Sequence, residues 1–134
     1  MTKPENYTKK YWPKISYFGI YDGHGGSKCA DFLRDSLHKI IFSNEYFQEN
    51  PKKAIKNAFL KAENEFLSTI AVDKKTGNIL DRSGSCAIIV IIIDNIIYVV
   101  NVRDSRGIIS IKGGEEYKMI TSDHKPSNED EKKE

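Results

Sequence analysis

Several residue types are scarce in this chain, and each scarcity removes a class of protein. Cysteine occurs twice in 134 residues. Cys29 and Cys86 share no C-x-x-C or metal-like spacing, which argues against a disulfide scaffold or zinc cluster and for reduced thiols in a reducing compartment. Neither sign of charge dominates: 21 Lys and Arg face 19 Asp and Glu, a net charge of +2. That is too mild for a nucleic-acid binder, which presents a strongly basic face. The longest apolar stretch, Cys86 to Ile93, is broken by Asp94-Asn95, far short of the ~20 residues that span a bilayer. The segment Met1-Thr2-Lys3-Pro4-Glu5-Asn6 has no apolar core for a signal peptide and no glycine at position 2 for myristoylation. The expectation is a soluble intracellular chain, cytoplasmic or nuclear, with no nucleic-acid or membrane partner.

What the chain does contain is concentrated in Tyr17-Phe18-Gly19-Ile20-Tyr21-Asp22-Gly23-His24-Gly25-Gly26. An apolar run reads as a buried strand that delivers an aspartate into a glycine-rich turn carrying a histidine, just before a helical pattern. A carboxylate at a strand end can ligate a hard cation, and glycine lets a backbone carbonyl approach the same ion. The imidazole stands within reach of a substrate there. Phosphate-cradling loops share this outline but fail in detail. Gly26 is followed by Ser27-Lys28, the reverse of the Walker order, and Gly23 to Lys28 lacks the last glycine of G-x-G-x-x-G.

Around this turn, periodicity lays out the rest. Residues 1–14 read as a loose polar arm anchored by Tyr11, Trp12 and Pro13, and Ile15 to Tyr21 as the first strand. Ala30, Leu33, Leu37, Ile40 and Ile41 recur at three- and four-residue steps, giving a helix over Ser27 to Phe42. Asn50-Pro51 supplies an N-cap and a proline at the first helical position. The second helix carries Ile55, Ala58, Phe59, Ala62, Phe66 and Ile70 on one stripe and ends before a loop from Asp73 to Ser83. From Cys86 to Val102 nearly every residue is Ile or Val, which suggests strands covered on both faces. Asp94-Asn95 folds that run into a hairpin. A second hairpin follows, Arg106 to Ile111 and Tyr117 to Thr121 about Lys112-Gly113-Gly114-Glu115. Residues 127–134 are polar throughout.

Three further segments sit in a telling order: Asp81-Arg82-Ser83-Gly84-Ser85-Cys86-Ala87, Asn101-Val102-Arg103-Asp104-Ser105-Arg106-Gly107, and Thr121-Ser122-Asp123-His124-Lys125-Pro126. With Tyr21-Asp22-Gly23-His24-Gly25-Gly26 they closely resemble the type 2C, metal-dependent serine/threonine protein phosphatases, over about Ile15 to Lys125. The resemblance implies an α+β fold, a β-sandwich flanked by helices in four α-β-β-α layers. Residues 15–126 would be about the first half of that catalytic domain, with an antiparallel helix pair on a mostly antiparallel sheet. It implies phosphoserine and phosphothreonine proteins as substrates and two Mn²⁺ or Mg²⁺ ions as cofactors. Such ions, about 3.5–4 Å apart, acidify a shared water and clamp the phosphoryl oxygens.

Carried over by motif, Asp22 bridges the ions, Gly23 lends its carbonyl, and Asp104 holds an additional, weaker ion. His24 becomes the candidate general acid toward the departing seryl oxygen. Other readings stand beside these. Asp22 can be a turn or helix-capping aspartate, and His24 a surface histidine at a helix start. Asp104 can cap its turn and pair with Arg106. His38 reads as solvent-facing, His124 as part of a structural loop, and Ser83-Gly84-Ser85 as shaping the start of a strand.

The chain also departs from the pattern. The family carries a phosphate-gripping arginine and a metal-binding glutamate ahead of the first motif, where Asn6 to Lys14 offers neither, and two more metal aspartates in D-G and D-N turns beyond the last. Its G-D-S-R has glycine where Arg103 stands, so this arginine either adopts a strained backbone or projects a new cation beside the metal centre. The expectation is a segment that binds metal weakly and is a poor phosphatase by itself, or alternatively a non-catalytic binding or regulatory module. Exposed sheet edges would favour self-association.

Overall fold

A computed structural model describes residues 13–124, so the expected N-terminal arm up to Trp12 and the tail after Lys125 lie outside the described residues. The described chain forms two compact units, one built from residues 23–85 and one from 13–22 with 86–124. Helices and antiparallel sheets give it the expected α+β class.

The first unit is a helix pair, α1 (Lys28–Phe42) and α2 (Pro51–Thr69). Both follow the apolar periodicity, α1 to within a residue of the expected boundary at Ser27, while α2 stops one residue short of the expected Ile70, which is its extended C-cap. Phe32, early in α1, meets Phe66, late in α2, with ring centroids 5.6 Å apart, so the helices run antiparallel. Leu37 and Ile41 of α1 and Ala54 and Ala58 of α2 are fully buried. The alanines keep one helix surface low, which lets the larger side chains of the other settle close. Burying a leucine or isoleucine stabilises the fold by about 1.5–3 kcal/mol. Between the helices Phe42 and Phe47 pack edge to face at 5.0 Å, and the Lys53 ammonium lies 3.4 Å over the Tyr46 ring. The Asn50 side chain accepts a hydrogen bond from the Lys53 amide at 3.1 Å, the cap expected ahead of Pro51.

The second unit holds a three-stranded sheet in the order β1 (Ile15–His24), β2 (Gly84–Ile93), β3 (Ile96–Val102); the first two strands each run two residues into the helical unit. β2 and β3 pair antiparallel from Ala87 opposite Val102 to Ile93 opposite Ile96. Asp94 takes a left-handed φ of 51° in their turn, the conformation anticipated for Asp94-Asn95. The backbone amide of Asp94 donates to the Lys14 carbonyl at 2.9 Å, and the Lys14 amide donates to Asp94 Oδ1. β1 therefore starts where β2 ends and runs antiparallel to it. The consequence is functional: the end of β1, the start of β2 and the end of β3 lie at one end of the sheet.

Two expectations about this sheet need correction. β1 is an edge strand that exposes Phe18 and Ile20 by 62% and 68%, so its apolar run is not a buried strand. Nor is the Ile/Val run covered on both faces. Ala87, Ile89 and Ile91 are buried while the alternating Ile88, Val90 and Ile92 are only half-buried. A run without polar alternation records what both faces could tolerate; it does not say whether each is covered. The second hairpin is present as β4 (Ile108–Ile111) and β5 (Glu116–Met119), with Ile108 opposite Met119. Lys112, Gly113 and Gly114 turn it with φ of 49°, 70° and 103°.

Removing the Asn50 cap tests the reading of α2. Asn50→Ala should cost about 1 kcal/mol, measured as a lowered midpoint in urea with an unchanged m-value. An unchanged midpoint would mean that Pro51 and packing alone define the helix start.

Candidate active site

The glycine-rich turn is shaped by the segment 81–84, within the helical unit. Gly25 and Gly26 take φ of 66° and 134°, values that suit glycine. A Cβ on Gly25 would stand 2.7 Å from the Arg82 carbonyl oxygen, and one on Gly84 would stand 2.5 Å from Nε2 of His24. The imidazole thus rests directly on a backbone that has no side chain. The reading of Ser83-Gly84-Ser85 as structural therefore understates Gly84, whose bare Cα seats the candidate acid. The pattern R-S-G-S was visible in the sequence; the histidine lying on it was not.

Ser27, at the N-cap position of α1, makes no side-chain cap. The amide of Cys29 donates instead to the Ser83 hydroxyl at 3.2 Å, so a helix terminus that needs acceptors takes one from a segment 54 residues away. Ser83 is itself held, its amide donating to Asp81 Oδ1 at 2.8 Å. Lys28 closes the cluster with an ion pair to Asp81 at 2.9 Å. The Ser83 hydroxyl and amide, then Lys28, hold the Asp81 carboxyl down to about 2. Sequence reasoning passed over Asp81, for which no periodic signal exists. The nearby Cys29 thiol is pushed up by burial and by Asp81 and Glu63, and both cysteines are free, as expected.

In the sheet unit, Asp22 lies exposed within β1 and Asp104 exposed just after β3, at the same end of the sheet. Asp22 precedes the α1 cap position by five residues, which removes its helix-capping reading. The buried Cys86 thiol donates to Asp104 Oδ1 at 3.3 Å. Burial, then that hydrogen bond, raise the thiol, so it stays protonated. The expected pairing of Asp104 with Arg106 is not the one formed. Arg106 is bidentate to Asp123 at 2.9 and 2.8 Å, because the planar guanidinium matches the carboxylate that the last motif brings alongside. His124 has the structural place expected of it: its amide donates to the Arg103 carbonyl at 2.9 Å. The Asn101 side chain donates to that same carbonyl and to Ser122. His38 is half-exposed.

Arg103 adopts φ of 76°. The strained-backbone alternative for this position is therefore realised, at a cost for an L side chain of about 1–2 kcal/mol.

The oxygens expected from the sequence to meet a metal, the carboxylates of Asp22 and Asp104 in the sheet unit and the carbonyl of Gly23 in the helical unit, are hard donors of the kind Mg²⁺ and Mn²⁺ take. Among the described residues no group of three or more His, Cys, Asp or Glu comes together to hold an ion. The chain thus presents, among the described residues, oxygen donors of a type suited to such ions but no closed site. No described helix is long and apolar enough to cross a membrane.

The protein-family model "Protein phosphatase 2C" matches residues 3–133. The chain is 35% identical over 130 residues to "Protein phosphatase 2C homolog 2" of Hypocrea jecorina, covering 96% of this chain and 28% of that protein. It is 38% identical over 119 residues to "Probable protein phosphatase 2C 55" of Oryza sativa subsp. japonica, covering 89% and 30%. It is 37% identical over 122 residues to "Probable protein phosphatase 2C 14" of Arabidopsis thaliana, covering 89% and 25%. The chain spans about three tenths of the length of the curated relatives it matches first.

Two expected outcomes follow from the local physics. Asp81 is depressed on folding, so its contribution is fully present above the unfolded carboxylate value near 4 and disappears as pH falls through about 2. Amide exchange at Cys29 should accelerate across that window, and Ser83→Ala should produce the same loosening at neutral pH with a loss of about 1 kcal/mol. Protection of Cys29 that ignores both would remove the capping role. At the other loop, Arg103→Gly relieves the left-handed strain but loosens the unfolded chain. The net gain should be about 1 kcal/mol, seen as a raised melting temperature; a lowered one would mean that the guanidinium makes a stabilising contact worth more than the strain.

Proposed function

We propose that this chain, which belongs to the protein phosphatase 2C family, supplies the ion-facing turn and the leaving-group acid of a metal-dependent phosphatase acting on phosphoserine and phosphothreonine in proteins. The supporting observation is the seating of His24 on Gly84, immediately after the Asp22-Gly23 pair. Asp22 and Gly23 would hold the divalent ions in the longer domain, and Asp104 an additional, weaker one. When bound, Mg²⁺ or Mn²⁺ supplies an acidified water and neutralises phosphoryl charge.

The chain's own residues account for the remainder. A phosphomonoester dianion and its departing alkoxide need a proton at the seryl or threonyl oxygen, and an exposed imidazole fixed against a glycine backbone can deliver one there. Gly25 and Gly26 keep the turn free of side chains that would crowd the ester. The cluster of Asp81, Ser83 and Lys28 holds the turn by anchoring the helix that follows it. A second reading, a phosphatase-like module that binds phosphoproteins without turning them over, is favoured by Arg103, which places an arginine beside Asp104 where the family pattern has glycine.

The test uses the longer protein that carries this segment. Phosphate release from a phosphoserine peptide should require Mn²⁺ or Mg²⁺, vanish in excess chelator, and be abolished by Asp22→Asn. His24→Ala should slow turnover about 10²-fold, and Gly84→Ala should reproduce that loss by displacing the imidazole. Full turnover in chelator or in Asp22→Asn would overturn the metal reading. Binding of the peptide with no turnover under any metal would select the non-catalytic module.

A further inference from the structure

We propose that the pocket between the start of α1 and the end of α2 receives a basic side chain of the phosphoprotein substrate, an arginine above all. The inference rests on the proposed recognition of phosphoproteins and adds a sequence preference to it. The pocket has a volume of about 270 Å³ and is lined by Phe32 of α1, Phe66 of α2 and, from the segment that follows, Ala71 and Leu80, with Lys28 and Asp81 also on its wall. The Leu80 amide donates to the Ala71 carbonyl at 3.0 Å, which fastens the two sides of that segment together. Apolar walls suit the aliphatic stem of a long side chain, and aromatic rings attract a guanidinium.

The charge around the pocket favours a cation. Asp81 is the carboxylate of the wall, with 12% of its side chain accessible. The Ser83 amide meets Oδ1 and Lys28 meets Oδ2, while a carboxylate offers about four acceptor sites. Lys28 makes its bond from a side chain that is 77% accessible, so its ammonium returns to water at little cost. A guanidinium, planar and able to form two parallel bonds, is the better partner for the same carboxylate. Glu63 acts with Asp81 on the nearby Cys29 thiol, and α2 ends at the pocket with no basic residue in its last turn. Both add to the attraction for positive charge. Position ties the pocket to the candidate chemistry. Asp81 stands three residues before Gly84, on which His24 rests, so at most roughly 11 Å of backbone separates them. An extended substrate covers that distance in roughly two to four residues.

The experiment takes the longer protein that carries this segment and compares phosphoserine peptides bearing one arginine, roughly two to four residues to either side of the phosphate, with the same peptide bearing alanine. At one position arginine should lower KM about tenfold with kcat unchanged, and lysine should do less. Ala71→Trp, which fills the pocket, should remove the difference, and Lys28→Ala should widen it by removing the competing ammonium. Equal KM at every position would overturn the proposal. A second measurement needs neither turnover nor a variant. N-acetylarginine amide should saturably shift the Thr69, Ala71 and Leu80 amides of the 134-residue chain, and its uncharged citrulline counterpart should not. Equal shifts from both would show that charge plays no part, and the proposal falls. If no peptide is hydrolysed under any metal, the phosphatase reading fails by itself and binding of the two phosphopeptides to the chain decides the pocket: tighter binding of the arginine peptide sustains it, and equal binding overturns it.

Discussion

The hydrogen bond from the Cys29 amide to the Ser83 hydroxyl is the interaction on which the candidate site depends. A helix start leaves several amides without partners, and α1 finds one of its acceptors in a remote segment instead of in its own cap residue. That choice forces residues 81–84 against the start of α1 and, through it, against the end of β1 and the turn at Gly25 and Gly26. Once they are there, the steric consequences follow without further cost. Gly25 can face the Arg82 carbonyl and His24 can lie on Gly84 only because neither glycine carries a Cβ. Two motifs separated by nearly sixty positions are thereby one local structure, and the histidine gains its place from the second of them.

The sheet unit solves a similar problem with charge. Its loop after β3 carries Asp104 while the backbone at Arg103 sits in a region unfavourable for an L residue. The Arg106–Asp123 bidentate pair and the bonds to the Arg103 carbonyl hold the loop in that conformation. Exposed ion pairs contribute little individually, but this one is bidentate and its carboxylate is largely covered, with 18% of the Asp123 side chain accessible. The backbone amides and carbonyls around it act in concert, so the loop is defined by several weak restraints together. Arg103 shows the margin: a strained residue is tolerated where the surrounding bonds over-determine the chain.

Much of this was legible in the order of the residues. The helix pair, the Asn50-Pro51 cap, the Asp94-Asn95 turn and the second hairpin all follow from local rules, since periodicity, capping and turn chemistry act over a few residues. The two failures in the sheet have a common cause. An apolar residue at Phe18 or Ile88 is compatible with burial, but whether anything lies over it depends on chain that periodicity does not address. The Asp104–Arg106 pairing failed for a related reason: adjacent residues invite a local partner, and the actual partner of Arg106 lies 17 residues on.

The sequence by itself determined the element types, the chemistry available at the turn, and the family, because those depend on residue identity and short spacing. It determined that Arg103 stands where glycine is expected. Tertiary structure decided the rest. It brought Asp22, Cys86 and Asp104 to one end of a sheet, through pairings between strands distant in sequence, and it gave Arg106 to Asp123. It also turned Ser83 into the cap of a helix that begins 55 positions earlier. Each of those is a long-range contact chosen by competition among several acceptors or carboxylates of equal local merit, and only the folded backbone ranks them.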